Sequence, residues 1–140
     1  NTKMLRKIKE RFGQNKRARI LGFTTQMPLY MKACDVLFTK PGGLTSTEAE
    51  VAGIPIVHTD PIPGCETANR KFFIKLGMSS SDFTPKGQAE QGLYLMYDQD
   101  AARKMVDNQY KNIHKDAGER IYYFIEEKLK AAQDRQQEVF

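Results

Sequence analysis

Two loops rich in glycine and proline, each wedged between a short apolar run and a helical stretch, constrain this chain more than any other feature. The first unit reads residues 35–39 (DVLFT), then Lys40-Pro41-Gly42-Gly43, then a helix over about 44–52. The second reads residues 54–58 (IPIVH), then 60–64 (DPIPG), then a helix over about 65–76. Gly53 and Gly77 stand where the two helices should stop, because glycine tolerates the left-handed backbone that closes a helix. Apolar run, turn and helix in succession is the pattern of a parallel sheet with crossover helices.

The flanking sequence fits the same plan less completely. Met4, Ile8 and Phe12 recur every four residues beside Leu5, which predicts a helix over 2–12 stopped by Gly13. Residues 18–23 (ARILGF) read as a strand, and Pro28 opens a short helix through about 33. Residues 78–85 read as a serine-rich loop, followed by helices over about 86–97, 99–114 and 117–133. Ile121, Phe124, Ile125 and Leu129 stripe the last of these. The expected fold is α/β: a partial Rossmann-like parallel sheet flanked by helices, with a helical C-terminal tail. Residues 1–140 form one domain, with an α/β part over 1–77 and a mainly helical part over 78–140. Three strands are fewer than the five or six of a doubly wound domain, so the chain is expected to be the latter part of a larger fold.

Composition removes several function classes. With 40% hydrophobic and 28% charged residues the chain is neither collagen-like nor wholly disordered. No apolar run approaches the roughly 20 residues of a spanning helix, and the N-terminus is not signal-like. Cys34 and Cys65 make neither a disulfide framework nor a zinc ligand set, which suits a reducing, cytoplasmic setting. The net charge of +5 is local: residues 1–19 hold eight basic side chains and one acid, and the remainder holds fourteen against sixteen. Such a segment is a solvated helix face or a contact for anionic lipid. For nucleic acid it lacks an aromatic platform and a recognisable module, so no nucleic-acid partner is expected.

The loops carry the chemistry. A strand, a glycine turn and a helix N-terminus together make an anion site, because free N–H groups and the helix dipole point at the ligand. Parallel sheets bind ligands beyond the carboxyl ends of their strands, where both loops lie. Thr45 and Glu48 also fit a capping box, in which Glu48 folds back on the helix start. Glu66 and Asn69, three apart on one helix face, suit the hydroxyls of a sugar, or they cap their own helix. Asp98-Gln99-Asp100 spells a metal–diphosphate motif but precedes a helix, where Asp98 reads as a cap. His58 ends a strand beside the loops and reads as a loop histidine without a role, with phosphate contact as the alternative. His114 reads as surface. No cluster has metal-ligand spacing, so neither a metal nor a cofactor is expected.

Taken together, the two loops closely resemble the C-terminal, donor-binding half of glycosyltransferase family 28, in the branch of monogalactosyl- and processive glucosyl-diacylglycerol synthases. The matching residues are Leu21-Gly22-Phe23, Met27-Pro28, Ala33-Cys34-Asp35, the run 39–49 (TKPGGLTSTEA), Gly53-Ile54-Pro55 and 61–64 (PIPG) with Glu66 and Asn69. The resemblance implies a GT-B enzyme that transfers a hexose from a UDP-sugar to a lipid acceptor such as diacylglycerol, with inversion and without metal, at the inner membrane face. It also implies roles for single residues. Gly22, Phe23 and Thr24 would lie against uracil, and Gly42, Gly43, Leu44 and Thr45 would meet the diphosphate. Glu48 would bind ribose, and Gly64, Cys65, Glu66 and Asn69 would border the sugar or support its loop. Cys65 departs from the family, which usually has Gln there, and a thiol cannot both donate and accept as an amide does. It is alternatively a reactive thiol at a helix N-terminus. The catalytic base, the acceptor and the membrane contact are expected from an N-terminal half outside this sequence. An alternative is a non-catalytic, nucleotide-sugar-binding subunit that needs a membrane partner.

Overall fold

In a computed structural model, which describes residues 2–137, both apolar runs contain a strand, and the second is fully buried. The element order is α1 (Thr2–Phe12), α2 (Met27–Ala33), β1 (Leu37–Thr39), α3 (Gly43–Ala52), β2 (Ile56–His58), α4 (Cys65–Lys75), β3 (Ser80–Ser81), α5 (Pro85–Tyr97), α6 (Gln99–Asn112) and α7 (Ala117–Gln137). The three strands are parallel in the order β1-β2-β3. Leu37 lies opposite Ile56, Thr39 opposite His58, and Val57 opposite Ser80.

The central strand is buried on both faces, as crossover helices require. Ile56 packs with Met31 of α2 and with Ala49 and Ile54. Its neighbour Val57 points the other way, onto Leu95 of α5 and Met105 of α6. Gln109 of α6 closes the lower edge, donating through Nε2 to the carbonyls of Ile54 (2.8 Å) and Met78 (2.9 Å). Gly53 ends α3 with φ of 74°, and a Cβ there would meet the Tyr110 hydroxyl.

Two expectations fail at the strands. Residues 18–23 form no strand: 13–26 carry neither helix nor strand, and Phe23 is 96% exposed. An apolar run stays extended in a sheet only beside a partner ladder, and among the described residues none lies alongside it. The serine-rich loop, conversely, contains β3, so the parallel sheet runs past residue 77. Met78 is fully buried, and Ser81 Oγ donates to the His58 carbonyl at 2.8 Å. Anchoring of that kind overrides the poor strand preference of serine. The expected helices all form, with ends shifted by a few residues.

The terminal helices add nothing to the buried core among the described residues. No side chain of α1 is buried, and none over 117–135 is either. Among the described residues no helix is long and apolar enough to cross a membrane.

Candidate functional site

Because β1 and β2 are parallel, the loops that follow them leave the same edge of the sheet. The Thr59 amide donates to the Thr39 carbonyl at 2.8 Å, holding the two exits side by side. From β1 the chain turns at once: the Gly42 amide donates to the Lys40 carbonyl at 2.8 Å, and α3 starts with Gly42 as its N-cap. No side chain caps α3. Helix geometry leaves the N–H groups of Gly43, Leu44 and Thr45 without intrahelical acceptors, so they face the loop edge as donors. The capping-box reading of Thr45 and Glu48 therefore fails. The helix starts two residues before Thr45, which puts Thr45 inside the first turn, and Glu48 is exposed.

Glu48 instead stands on the rim of a cleft of about 660 Å³ between α2 and α3, with Met27, Met31 and Val51 as its apolar wall. Such a mix of apolar wall and single charged groups suits a small organic ligand.

The second loop is closed by its own helix. Gly64 has φ of 114° and ψ of −128°, a conformation open only to glycine, and it starts α4. Glu66 Oε2 accepts from the Ile62 amide, locking the PIPG turn onto the first turn of α4 (2.6 Å). Asn69, one turn on, reaches across: its Nδ2 donates to the Pro41 carbonyl at 3.0 Å. Cys65 is exposed at the start of α4. Gly42 through Thr45 and Gly64 through Asn69 are thus brought together, and Glu48 lies one turn beyond. Gly22, Phe23 and Thr24 are not built into that arrangement. Gly22 lies near the Leu5 side chain, and Thr24 Oγ1 accepts from the Gln26 amide at 3.0 Å.

Beneath the loops is a buried polar layer that the sequence reading missed. His58, the last residue of β2, is fully buried, with Nε2 3.0 Å from Ser46 Oγ and its ring against Phe73. It is not a loop histidine. Burial, and then the Arg70 charge, lower its pKa to about 4, so the ring is neutral. Glu50, one turn beyond Ser46 on α3, is fully buried with neither carboxylate oxygen hydrogen-bonded, and burial raises its pKa to about 8. The signal was present: residues 46, 49, 50 and 53 share one helical face, so a helix over 44–52 already placed Glu50 inward. Asp98, in turn, caps α6 by accepting from the Ala101 amide at 2.9 Å.

Residues 1–112 match the family described as glycosyl transferases group 1. Processive diacylglycerol beta-glucosyltransferase of Staphylococcus carnosus (strain TM300) is 31% identical over 107 residues, covering 76% of this chain and 27% of that protein. The proteins of the same name from Staphylococcus saprophyticus (strain ATCC 15305) and Bacillus subtilis (strain 168) are 34% and 31% identical. They cover 65% and 69% of this chain and 23% and 25% of their own lengths. The chain therefore spans about a quarter of the curated relatives it matches. These are proteins of the branch that the two loops resemble, and with four-fifths of its length matched, the chain belongs to the group 1 glycosyl transferases.

Proposed function

We propose that this chain binds the UDP-sugar donor for an inverting, metal-independent transfer of a hexose to a lipid acceptor such as diacylglycerol. The observation that carries this reading is the uncapped N-terminus of α3, set beside the latched PIPG turn at the carboxyl edge of a parallel sheet. In the reaction a base takes the proton of the acceptor hydroxyl, the oxygen attacks the anomeric carbon, and UDP leaves from the opposite face. The amides of Gly43, Leu44 and Thr45 stabilise the charge that grows on the departing diphosphate, by preorganised dipoles rather than by a metal. Glu48 holds the ribose hydroxyls, and the cleft behind it lies beside the nucleoside. Cys65 borders the sugar. The base and the acceptor site belong to protein outside residues 1–140. The relatives' name supports a glucosyl donor and a lipid acceptor, and the basic face of α1 suits a peripheral position on anionic membrane.

Calorimetric titration with UDP, UDP-glucose and UDP-galactose tests the proposal. Saturable UDP binding that weakens about tenfold in Glu48→Ala is the expected result, a loss of about 1.4 kcal/mol. A folded chain that binds none of the three overturns it.

A further inference from the structure

We infer that Asn69 is a positioning residue: a latch that couples the two loops and sets the α3 N-terminus, rather than a ligand of the sugar. This inference rests on the donor-binding reading for its functional consequence, though the latch itself is a matter of geometry. The residues on either side of Pro41 give the first loop few side-chain anchors of their own. Gly42 and Gly43 have no side chains, Lys40 and Leu44 are exposed, and a Cβ at Gly42 would meet nothing within 4 Å. The loop's tie to α4 is the 3.0 Å bond from Asn69 Nδ2 to the Pro41 carbonyl, which spans 28 residues of sequence. Pro41 is itself fully buried, so its carbonyl is drawn to a fixed point.

Asn69 Nδ2 also lies 3.9 Å from where a Gly43 Cβ would stand, directly under the first turn of α3. On the other side, Glu66 fixes the PIPG turn to the same helix, one turn earlier. A displacement of α4 therefore moves both walls of the site together. The amide commits one N–H to Pro41, and that bond fixes its orientation. Its second N–H and its oxygen could still meet a ligand, so the affinity measurements below separate the latch from a contact with the sugar.

The test uses Asn69→Asp, which keeps the shape and loses the donor, Asn69→Ala, and Asn69→Gln as the variant that keeps an amide donor. The first readout is backbone amide hydrogen exchange without ligand. The latch requires the two hydrogen-bonded amides of this segment, Gly42 and Ser46, to exchange at least about fivefold faster in the Asp and Ala variants, the worth of one net hydrogen bond, with partial recovery in Gln. Unchanged exchange at both overturns it. The second readout is the affinity for UDP and for UDP-glucose, per folded molecule. A latch weakens both by the same factor and leaves their ratio as in the parent chain. A sugar ligand weakens UDP-glucose and spares UDP, and that outcome also overturns the inference. So does a merely structural role, which lowers the unfolding midpoint and leaves both affinities unchanged. If the parent chain binds no UDP, the donor reading falls, while the exchange result still decides for or against the latch.

Discussion

The body of the molecule and its two terminal helices use similar apolar residues to opposite ends. In the body, Ile56 and Val57 are fully buried within a three-residue strand. In α7, Ile121, Phe124, Ile125 and Leu129 leave 51–60% of their surface to water, and in α1 Met4, Ile8 and Phe12 leave 39–53%. What separates the two regions is neighbours rather than residue type. The central strand has helices on both faces, whereas the terminal stripes lie along helices that bury no side chain among the described residues. Propensity and periodicity are enough to draw a helix, but only tertiary packing makes its apolar face contribute to stability.

Truncation separates the two regions most strongly. Ile56→Ala should cost about 2–5 kcal/mol, the lost transfer energy plus the cavity left in a packed layer. Ile121→Ala removes the same atoms from solvent-exposed surface and should stay within about 0.5 kcal/mol. Urea unfolding midpoints of the two variants give the comparison directly. Equal losses would mean that α7 is packed in solution and that the contrast does not hold.

The buried polar layer gives the body a pH signature. Glu50, with its pKa raised from 4.5 to about 8, holds a proton when folded that the unfolded chain releases, so its term lowers stability as pH rises between those values. His58, lowered from 6.5 to about 4, is neutral when folded and charged when unfolded, so its term raises stability over that window. From about 4.5 to 6.5 the two slopes oppose each other, and from 6.5 to 8 only the loss from Glu50 remains. Stability should be flat and then fall. Glu50→Gln should abolish the fall above pH 6.5 and expose the rise due to His58 below it. Denaturant midpoints taken from pH 4 to 8.5 check this, and an unchanged fall in Glu50→Gln would mean that another group causes it.

A smaller effect tests how the second loop is held. Gly64→Ala forces a side chain into a backbone with φ of 114°, at a cost of roughly 1–3 kcal/mol. Gly118 sits in the first turns of α7, and a Cβ there would meet nothing within 4 Å. Gly118→Ala should therefore stabilise by up to about 1 kcal/mol through helix propensity. Thermal midpoints moving in opposite directions would confirm that one glycine is required by its backbone and the other only occupies a helix.

The same contrast explains what was legible beforehand. Both loop units could be read because each carries its own punctuation: Gly42-Gly43 and Gly53 around one helix, Pro63-Gly64 and Gly77 around the other. Resemblance supplied the expected roles, and the geometry brought Gly42 through Thr45 to Gly64 through Asn69. Apart from the capping box, whose helix starts two residues before Thr45, the failed readings involve non-local partners. Residues 18–23 look like a strand but lack a ladder, and Ser80 and Ser81 do not look like one but are pinned by Met78 and His58. The bond from Asn69 to Pro41 joins residues 28 apart, and no local spacing announces it. Glu50 could have been found from the helical face it shares with Ser46, but its lack of any partner could not.

The smallest expected effect separates the terminal helices from each other. Both expose apolar stripes, yet α1 carries Lys3, Arg6, Lys7, Lys9 and Arg11 against Glu10, whereas α7 balances four basic side chains with four acidic ones. Each basic group near an anionic lipid surface is worth about 1 kcal/mol, and salt screens it within a Debye length. Vesicles rich in anionic lipid should therefore retain the chain at low salt and release it as salt rises. Replacing Lys7 with Ala should cut retention about fivefold, and replacing Lys128 with Ala should change it less, because α7 has no net positive field to lose. Equal losses from the two variants would mean that the whole surface, and not α1, meets the lipid. No retention by the parent chain would mean that the basic face of α1 is a solvated one and that any membrane contact lies outside these residues.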